Sequence, residues 1–206
     1  MTEDTPKPAR KRQARGQRRM EQLLDAAAEV FAEKGFKGAS TNAVAARAGA
    51  SPGTLYQFFG NKEELAEALM ARYVDRLRAA HGEAFDPALA SLPLDELIDR
   101  VIDPLIAFDR ANPGFPALLA DPDLSPELAG AKKPAQNVMF DRLDLIFKTR
   151  APHLEPDQRH RTAEVAVHLF RGLLPLIMGA AEGEELAAVT AETKRALGAY
   201  LSSVIG

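Results

Sequence analysis

The chain has 206 residues, 46% of them hydrophobic and 27% charged, with no Cys, no Trp and a formal net charge of −3. That is enough apolar material for one globular domain or two small ones. The lack of cysteine excludes a disulfide framework, a thiolate metal site and a Cys nucleophile. The longest apolar stretch, Gly172 to Ala181, is about half a membrane span and contains Pro175, and the N-terminus is charged where a signal peptide needs an apolar segment. The expectation is a soluble cytoplasmic protein with no membrane partner.

The small net charge conceals a division. Residues 1–20 carry seven cations (Lys7, Arg10, Lys11, Arg12, Arg15, Arg18, Arg19) against Glu3 and Asp4, a balance of +5, so the remainder carries −8. A basic arm on an acidic body fits either a polyanionic partner for the arm or a solubilising tail.

In chain order, Leu23, Leu24, Ala27, Val30 and Phe31 recur with the spacing of an amphipathic helix over Gln17 to Lys34, which Gly35 ends in the left-handed conformation, with Phe36 as its apolar contact. A short helix follows from about Thr41 to Ala48, with Ser40 as N-cap, ended by Gly49. Ser51-Pro52 opens a third, about 52–58, because Ser51 can cap free N–H groups and Pro52 lacks one where none is needed. Asn61 and Glu64 form a capping-box pattern that launches a fourth helix from Lys62 to about Ala80. Prolines then punctuate the middle, giving helices at roughly 94–111, 115–120 and 126–149, with kinks expected at Pro104 and Pro175. Two longer helices, about 157–181 and 184–204, close the chain. No sustained period-2 run of β-branched residues occurs, so the fold class is all-α.

Residues 41–60 have the steric pattern of a helix-turn-helix. A steep helix crossing needs a small residue, here Ala45, and the tight turn needs one that tolerates positive φ, here Gly49. Val44, Ala48, Ala50, Leu55 and Phe58 fall on the inner face, which leaves Pro52, Gly53, Thr54, Tyr56 and Gln57 outward. Thr54 can meet a thymine methyl or a base edge, Gln57 can pair bidentately with adenine, and Asn42 can reach a base or a phosphate. Gly53 permits close backbone approach.

Over residues 17–65 the sequence resembles the TetR family of bacterial transcriptional regulators. The likeness rests on Ala-Ala-Ala-Glu-Val-Phe-Ala-Glu-Lys-Gly-Phe, Ser-Thr-Asn-Ala-Val-Ala-Ala-Arg-Ala-Gly and Ser-Pro-Gly-Thr-Leu-Tyr-Gln-Phe-Phe-Gly-Asn-Lys-Glu-Glu-Leu. The resemblance implies an N-terminal three-helix headpiece that binds DNA and a C-terminal helical bundle that binds a ligand and dimerises. Expected boundaries are a flexible basic arm at 1–16, the helix-turn-helix domain at 17–61, a connecting helix at 62–82 and the ligand-binding and dimerisation domain at 83–206. It also implies that the Tyr56 hydroxyl and the Lys62 ammonium contact phosphates and that Thr41 sits with its backbone N–H near another. The expected DNA-facing set is therefore Thr41, Asn42, Ser51, Pro52, Gly53, Thr54, Tyr56, Gln57 and Lys62.

The recognition helix has no Lys or Arg, and residues 21–62 balance four cations with four anions. Attraction to DNA must then lean on the arm, through Arg10, Lys11, Arg12, Arg15 and Arg18, lying along or in the flanking minor groove. In the last two helices, apolar faces that include Leu169, Leu173, Leu176, Leu197, Tyr200 and Leu201 can pair with a symmetry mate as a four-helix bundle, the dimer interface that the resemblance implies.

Phe108, Phe115, Met139, Phe140, Phe147, Phe170 and Met178 can line an apolar pocket or simply form core, with Asp103, His168 and Arg171 as polar groups able to orient a ligand. The prolines near 112–122 suggest a displaceable segment at a ligand entrance. None of the four histidines makes a His-Glu-x-x-His pattern, and no nucleophile elbow, phosphate loop or dinucleotide fingerprint is present. No metal, cofactor or catalytic residue is expected.

The reading is a ligand-responsive homodimeric repressor on a palindromic double-stranded operator, with an apolar or amphipathic effector. Two others stay open: a helix-turn-helix protein without a small-molecule inducer, partner-regulated or architectural, and, more distantly, a small all-α enzyme.

Overall fold

The computed structural model describes residues 8–81, 87–120 and 126–205. Among them are nine α-helices, a 3-10 turn at Pro87–Ser91 and no strand. The helices are α1 (Pro8–Gly38), α2 (Thr41–Arg47), α3 (Pro52–Tyr56), α4 (Lys62–His81), α5 (Leu94–Ala111), α6 (Gly114–Ala120), α7 (Pro126–Arg150), α8 (Pro156–Gly179) and α9 (Glu184–Ile205).

The first helix departs from expectation at its start. It begins at Pro8, so the part of the arm from residue 8 to 16 is helical rather than flexible. Proline at the first position and a run of Ala, Arg, Lys and Gln favour helix, and Gly16 costs only about 1 kcal/mol against them. At its other end Gly35 takes φ 66°, where the expected stop falls, and the Phe36 ring tilts against Phe31 at 5.6 Å between centroids.

The chain divides into two compact units that are not the contiguous blocks expected from the sequence. One comprises the described residues within 1–73 and 112–131; the other comprises those within 74–111 and 132–206. In the first unit α1 buries Leu23, Ala27, Val30 and Phe31 against Val44 and Ala45 of α2, Leu55 of α3 and Leu65, Leu69 and Met70 of α4. Burying side chains of this size contributes about 1.5–3 kcal/mol each, which offsets the ordering of three short elements.

The same unit takes in α6, which packs along α1. Phe115 meets the Tyr73 ring edge-on at 5.4 Å, and Leu118 is fully buried. The segment expected to be a displaceable entrance is thus docked on the headpiece helix through its α6 portion. Close approach requires Gly114: a Cβ there would lie 2.7 Å from the Ala28 carbonyl oxygen and 2.6 Å from the Tyr73 hydroxyl. Gly114→Ala should lower stability by about 1–3 kcal/mol through overpacking, read as a lower thermal midpoint. An unchanged midpoint would mean that α6 is not held there in solution.

The second unit has its own core, with Ile98, Ile102 and Ile106 of α5, Ile146 and Phe147 of α7, Phe170, Leu174 and Ile177 of α8 and Leu197, Leu201 and Ile205 of α9. Helices α5 and α8 run through Pro104 and Pro175. Polar fasteners rim this core. Lys194 bridges Asp99 at 2.8 Å and Asp103 at 2.5 Å, and Arg110 donates to the Ile177 carbonyl at 3.1 Å and pairs with Glu182. Arg159 joins Asp144 to the Leu154 carbonyl.

Candidate nucleic-acid interface

The helix-turn-helix is built from caps and a crossing. Ser40 and Ser51 both hold extended backbone and accept from the N–H three residues on, Ala43 at 3.2 Å and Thr54 at 3.1 Å. Each satisfies one of the orphan donors of its short helix. Between them Gly49 takes φ 59° and the Ala50 N–H returns to the Ala45 carbonyl at 2.9 Å. Ala45, Val44 and Leu55 are all fully buried at the crossing. The inward set is therefore spent on packing, and what remains outward is free to meet another surface.

The expected DNA-facing residues differ in exposure. Asn42, Ser51, Pro52, Gly53, Tyr56 and Gln57 are exposed, while Thr41, Thr54 and Lys62 are half-buried. The structure joins two members from different helices: Thr41 Oγ1 lies 3.1 Å from the Tyr56 hydroxyl. The Thr54 hydroxyl is turned back to Ser51 Oγ at 2.9 Å, so it must exchange that bond to act at a base edge. The recognition helix α3 is shorter than expected, ending at Tyr56 with Gln57 as its C-cap, because the chain must turn to bury Phe59.

Lys62 has a structural task that the sequence did not disclose. Its ammonium donates to the Phe36 carbonyl at 2.9 Å and the Ala39 carbonyl at 3.3 Å, and sits 4.3 Å from the centroid of the Phe36 ring. Two of its three N–H donors thus bind carbonyls where α1 ends, with a cation–π contact beside them. Lys62→Met should therefore destabilise the headpiece by about 1–3 kcal/mol as well as weaken DNA binding. A thermal midpoint equal to that of the unsubstituted protein would restrict Lys62 to DNA.

Arg47 was missed as well. It reaches from α2 to Glu29 at 2.8 Å and bidentately to Glu33 at 2.8 Å on α1. Those bonds raise the guanidinium above its usual range and hold the Glu33 carboxyl below its own. The pair orients α2 and removes Arg47 from the cations available to DNA. At the start of α4 the expected capping box is present in displaced form: Asn61 Oδ1 accepts from the Glu64 N–H at 2.7 Å, and the Glu64 carboxylate accepts from the N–H of Gly60 at 2.8 Å.

Along the expected arm, Arg15 and Arg18 are exposed on α1. Arg10, Lys11 and Arg12 lie on the helical backbone, but their side chains, like all of Lys7, lie outside the described residues.

The residues expected around a ligand take up different environments. Phe147 and Phe170 are in the second unit's core, Met139, Phe140 and Met178 pack half-buried against it, and Phe108 is buried in α5. Phe115 belongs to the first unit, and His168 is exposed. Asp103 is exposed and tied to Lys194 of α9, because it falls on the flank of α5 beside the face that carries Ile98, Ile102 and Ile106. The expected dimer face is likewise divided. Leu197 and Leu201 are buried inside their own unit, where α9 packs on α5 and α8, and are unavailable to a partner. Leu176 is 60% exposed, with Val165 also exposed and Leu169, Leu173 and Tyr200 half-buried.

Comparison with known proteins joins these features. Residues 23–69 match the family described as bacterial regulatory proteins of the tetR family, and residues 93–201 match the tetracyclin repressor-like C-terminal domain. A Bacillus subtilis protein named as the HTH-type transcriptional regulator YhgD is 31% identical over 90 residues, 44% of this chain and 46% of that protein. The HTH-type transcriptional activator FasR of Mycolicibacterium smegmatis is 48% identical over 56 residues, 27% of this chain and 26% of its own. The matches thus span about half or less of the curated relatives. A TetR-family regulator structure from Streptomyces coelicolor is 30% identical with a TM-score of 0.58, covering 93% of this chain and 99% of the other. A TetR-like regulator from Rhodococcus sp. RHA1 reaches a TM-score of 0.71 at 22% identity, over 90% and 96% of the two chains.

Proposed function

We propose, since the chain belongs to the TetR family of bacterial transcriptional regulators, that it is a ligand-responsive homodimeric repressor that binds a palindromic operator in the cytoplasm. One observation carries the DNA-binding part. Helix α3, held by the Ser51 cap and the buried Leu55, presents Pro52, Gly53, Tyr56 and Gln57 outward with nothing of the described chain over them. A helix of this kind enters the major groove with its N-terminal residues toward the bases. Tyr56 and Thr41, already bonded to each other, would hold adjacent phosphates; Gln57 would read a base edge.

Half-sites about 34–36 Å apart call for two copies. The exposed Leu176 and Val165, with Leu169 and Leu173 beside them, supply an apolar stripe on α8 that a second α8 can cover. An effector bound in the second unit would favour a dimer whose recognition helices no longer match that spacing. Reversing occupancy from 99:1 to 1:99 requires a preference of about 10⁴, or about 5.5 kcal/mol, shared over both subunits.

Fluorescence anisotropy with the DNA flanking the coding gene tests this reading. Specific binding to an inverted repeat is expected. Tyr56→Phe should weaken binding to all sequences alike, and Gln57→Ala should relax preference at one operator position by about 1–3 kcal/mol. Binding no tighter to the repeat than to unrelated DNA would overturn it. A promoter fusion read with and without the gene distinguishes repression from the activation for which FasR is named.

A further inference from the structure

The second unit contains a carboxyl group where its own helix pattern calls for an apolar side chain. Asp109 follows Ile102 and Ile106 at i+7 and i+3 on the inward face of α5 and is only 6% exposed. Facing it from α8 is Arg171, half-buried and close enough for the two charges to act on each other. Among the described residues neither side chain makes a hydrogen bond, and they are not joined by an ion pair within 4.0 Å. The next residue along, Arg110, is already committed to the Ile177 carbonyl and to Glu182.

A buried acid and a half-buried guanidinium held apart are costly unless something bridges them. A Leu at 109 would pack at less cost, so a carboxyl group there points to a binding role. Burial raises the Asp109 carboxyl to about 7 despite the opposing pull of Arg171, so near neutral pH much of it is a protonated donor, whereas Arg171, although burial lowers it, stays charged. The guanidinium N–H groups and the acid's O–H are donors complementary to an anionic oxygen group. The residues next along both helices are apolar. Leu174 and Met178 continue the stripe of α8 that holds Arg171, and Ile106 and Ile102 continue that of α5. Met139 and Met178, half-buried against the same core, are side chains able to repack around a tail.

We propose that Asp109 and Arg171 are the polar end of the effector site, and that the effector is an apolar molecule carrying a single carboxylate. Arg171 pairs with the carboxylate, and Asp109 in its acid form donates to the same group. Where Asp109 was ionised before binding, it takes one proton from solvent, so that no second bare carboxylate faces the ligand. The proposal rests on the reading of this unit as an effector domain.

Isothermal titration of the full-length protein near pH 7 with octanoate, decanoate and dodecanoate, each against the alcohol of the same length, tests it. At least one carboxylate should bind about tenfold or more tightly than its alcohol. Arg171→Met should abolish that preference. Repeating the wild-type titration in buffers of different ionisation heat should show proton uptake, which Asp109→Asn removes while retaining carboxylate binding. The uptake measurement uses the wild-type chain alone, so it decides even where a substituted protein does not fold. Equal binding of acids and alcohols, a preference that survives in folded Arg171→Met, or no binding by any carboxylate would overturn the proposal. Anisotropy on operator DNA separates the two readings. Carboxylates that bind as described but leave the DNA complex intact uphold the site and refute its effector role; alcohols alone releasing DNA uphold the effector role and refute the site.

Discussion

Deleting residues 1–15 should weaken binding to every DNA sequence by at least about tenfold near 0.1 M salt and flatten the salt dependence. The slope of log K against log salt should fall by about 0.9 for each lost cation that neutralises a phosphate. The headpiece leaves little else to supply this attraction. Its recognition helix has no cation, Arg47 is held between Glu29 and Glu33, and Lys62 directs two of its donors to the carbonyls that end α1. The deletion removes Lys7, Arg10, Lys11, Arg12 and Arg15 and leaves only Arg18 and Arg19 of the basic segment. Because residues from Pro8 onward are helical, the charges from Arg10 to Arg15 are carried on a prolongation of α1 rather than on a loose strand. Anisotropy across a salt series measures both quantities. A slope equal to that of the full chain would reassign the segment to solubility.

The pH dependence of stability should fall markedly when Asp109 is replaced by Asn. The Asp109 carboxyl stands at about 7 in the folded protein against 3.8 for the ordinary group, because burial outweighs the attraction of Arg171. Raising the pKa of an acid on folding means that the native state holds a proton which the unfolded chain releases. Stability contributed at this position is therefore highest below pH 4, declines between there and about pH 7, and is level above. The shift corresponds to about 4 kcal/mol as an upper bound, since Asn leaves Arg171 without its opposite charge. Denaturation of both proteins across pH checks this. Their stabilities should nearly coincide at low pH, with the Asn variant gaining as pH rises; a difference constant with pH would mean that folding leaves the Asp109 pKa unchanged.

Much of the helix-turn-helix was legible because its signals are local. Ser51-Pro52, the turn Gly49 and the Asn61 to Glu64 box act within four residues of themselves, and each took the predicted role or stood one residue from it. The closing helices were equally readable from their apolar period. The body's polar residues were not. Asp103, chosen because it interrupts an apolar stretch, is on the surface with Lys194, while Asp109 passed unremarked. The phase of α5 distinguished them: 98, 102, 106 and 109 share a face, and 103 lies on its flank.

The sequence by itself determined most of the helical segments, where the helix-turn-helix lies and that cations concentrate before it, since caps, turns and periodicity operate over a few residues. Only the tertiary structure decided how those groups are spent. It drew α6 from the middle of the chain onto α1 through the bare backbone of Gly114, turned Lys62 toward the carbonyls of another helix and enclosed Asp109 near Arg171. Each of these depends on a partner roughly 25 or more residues away, and a side chain's charge, donors and burial are set by what is packed against it.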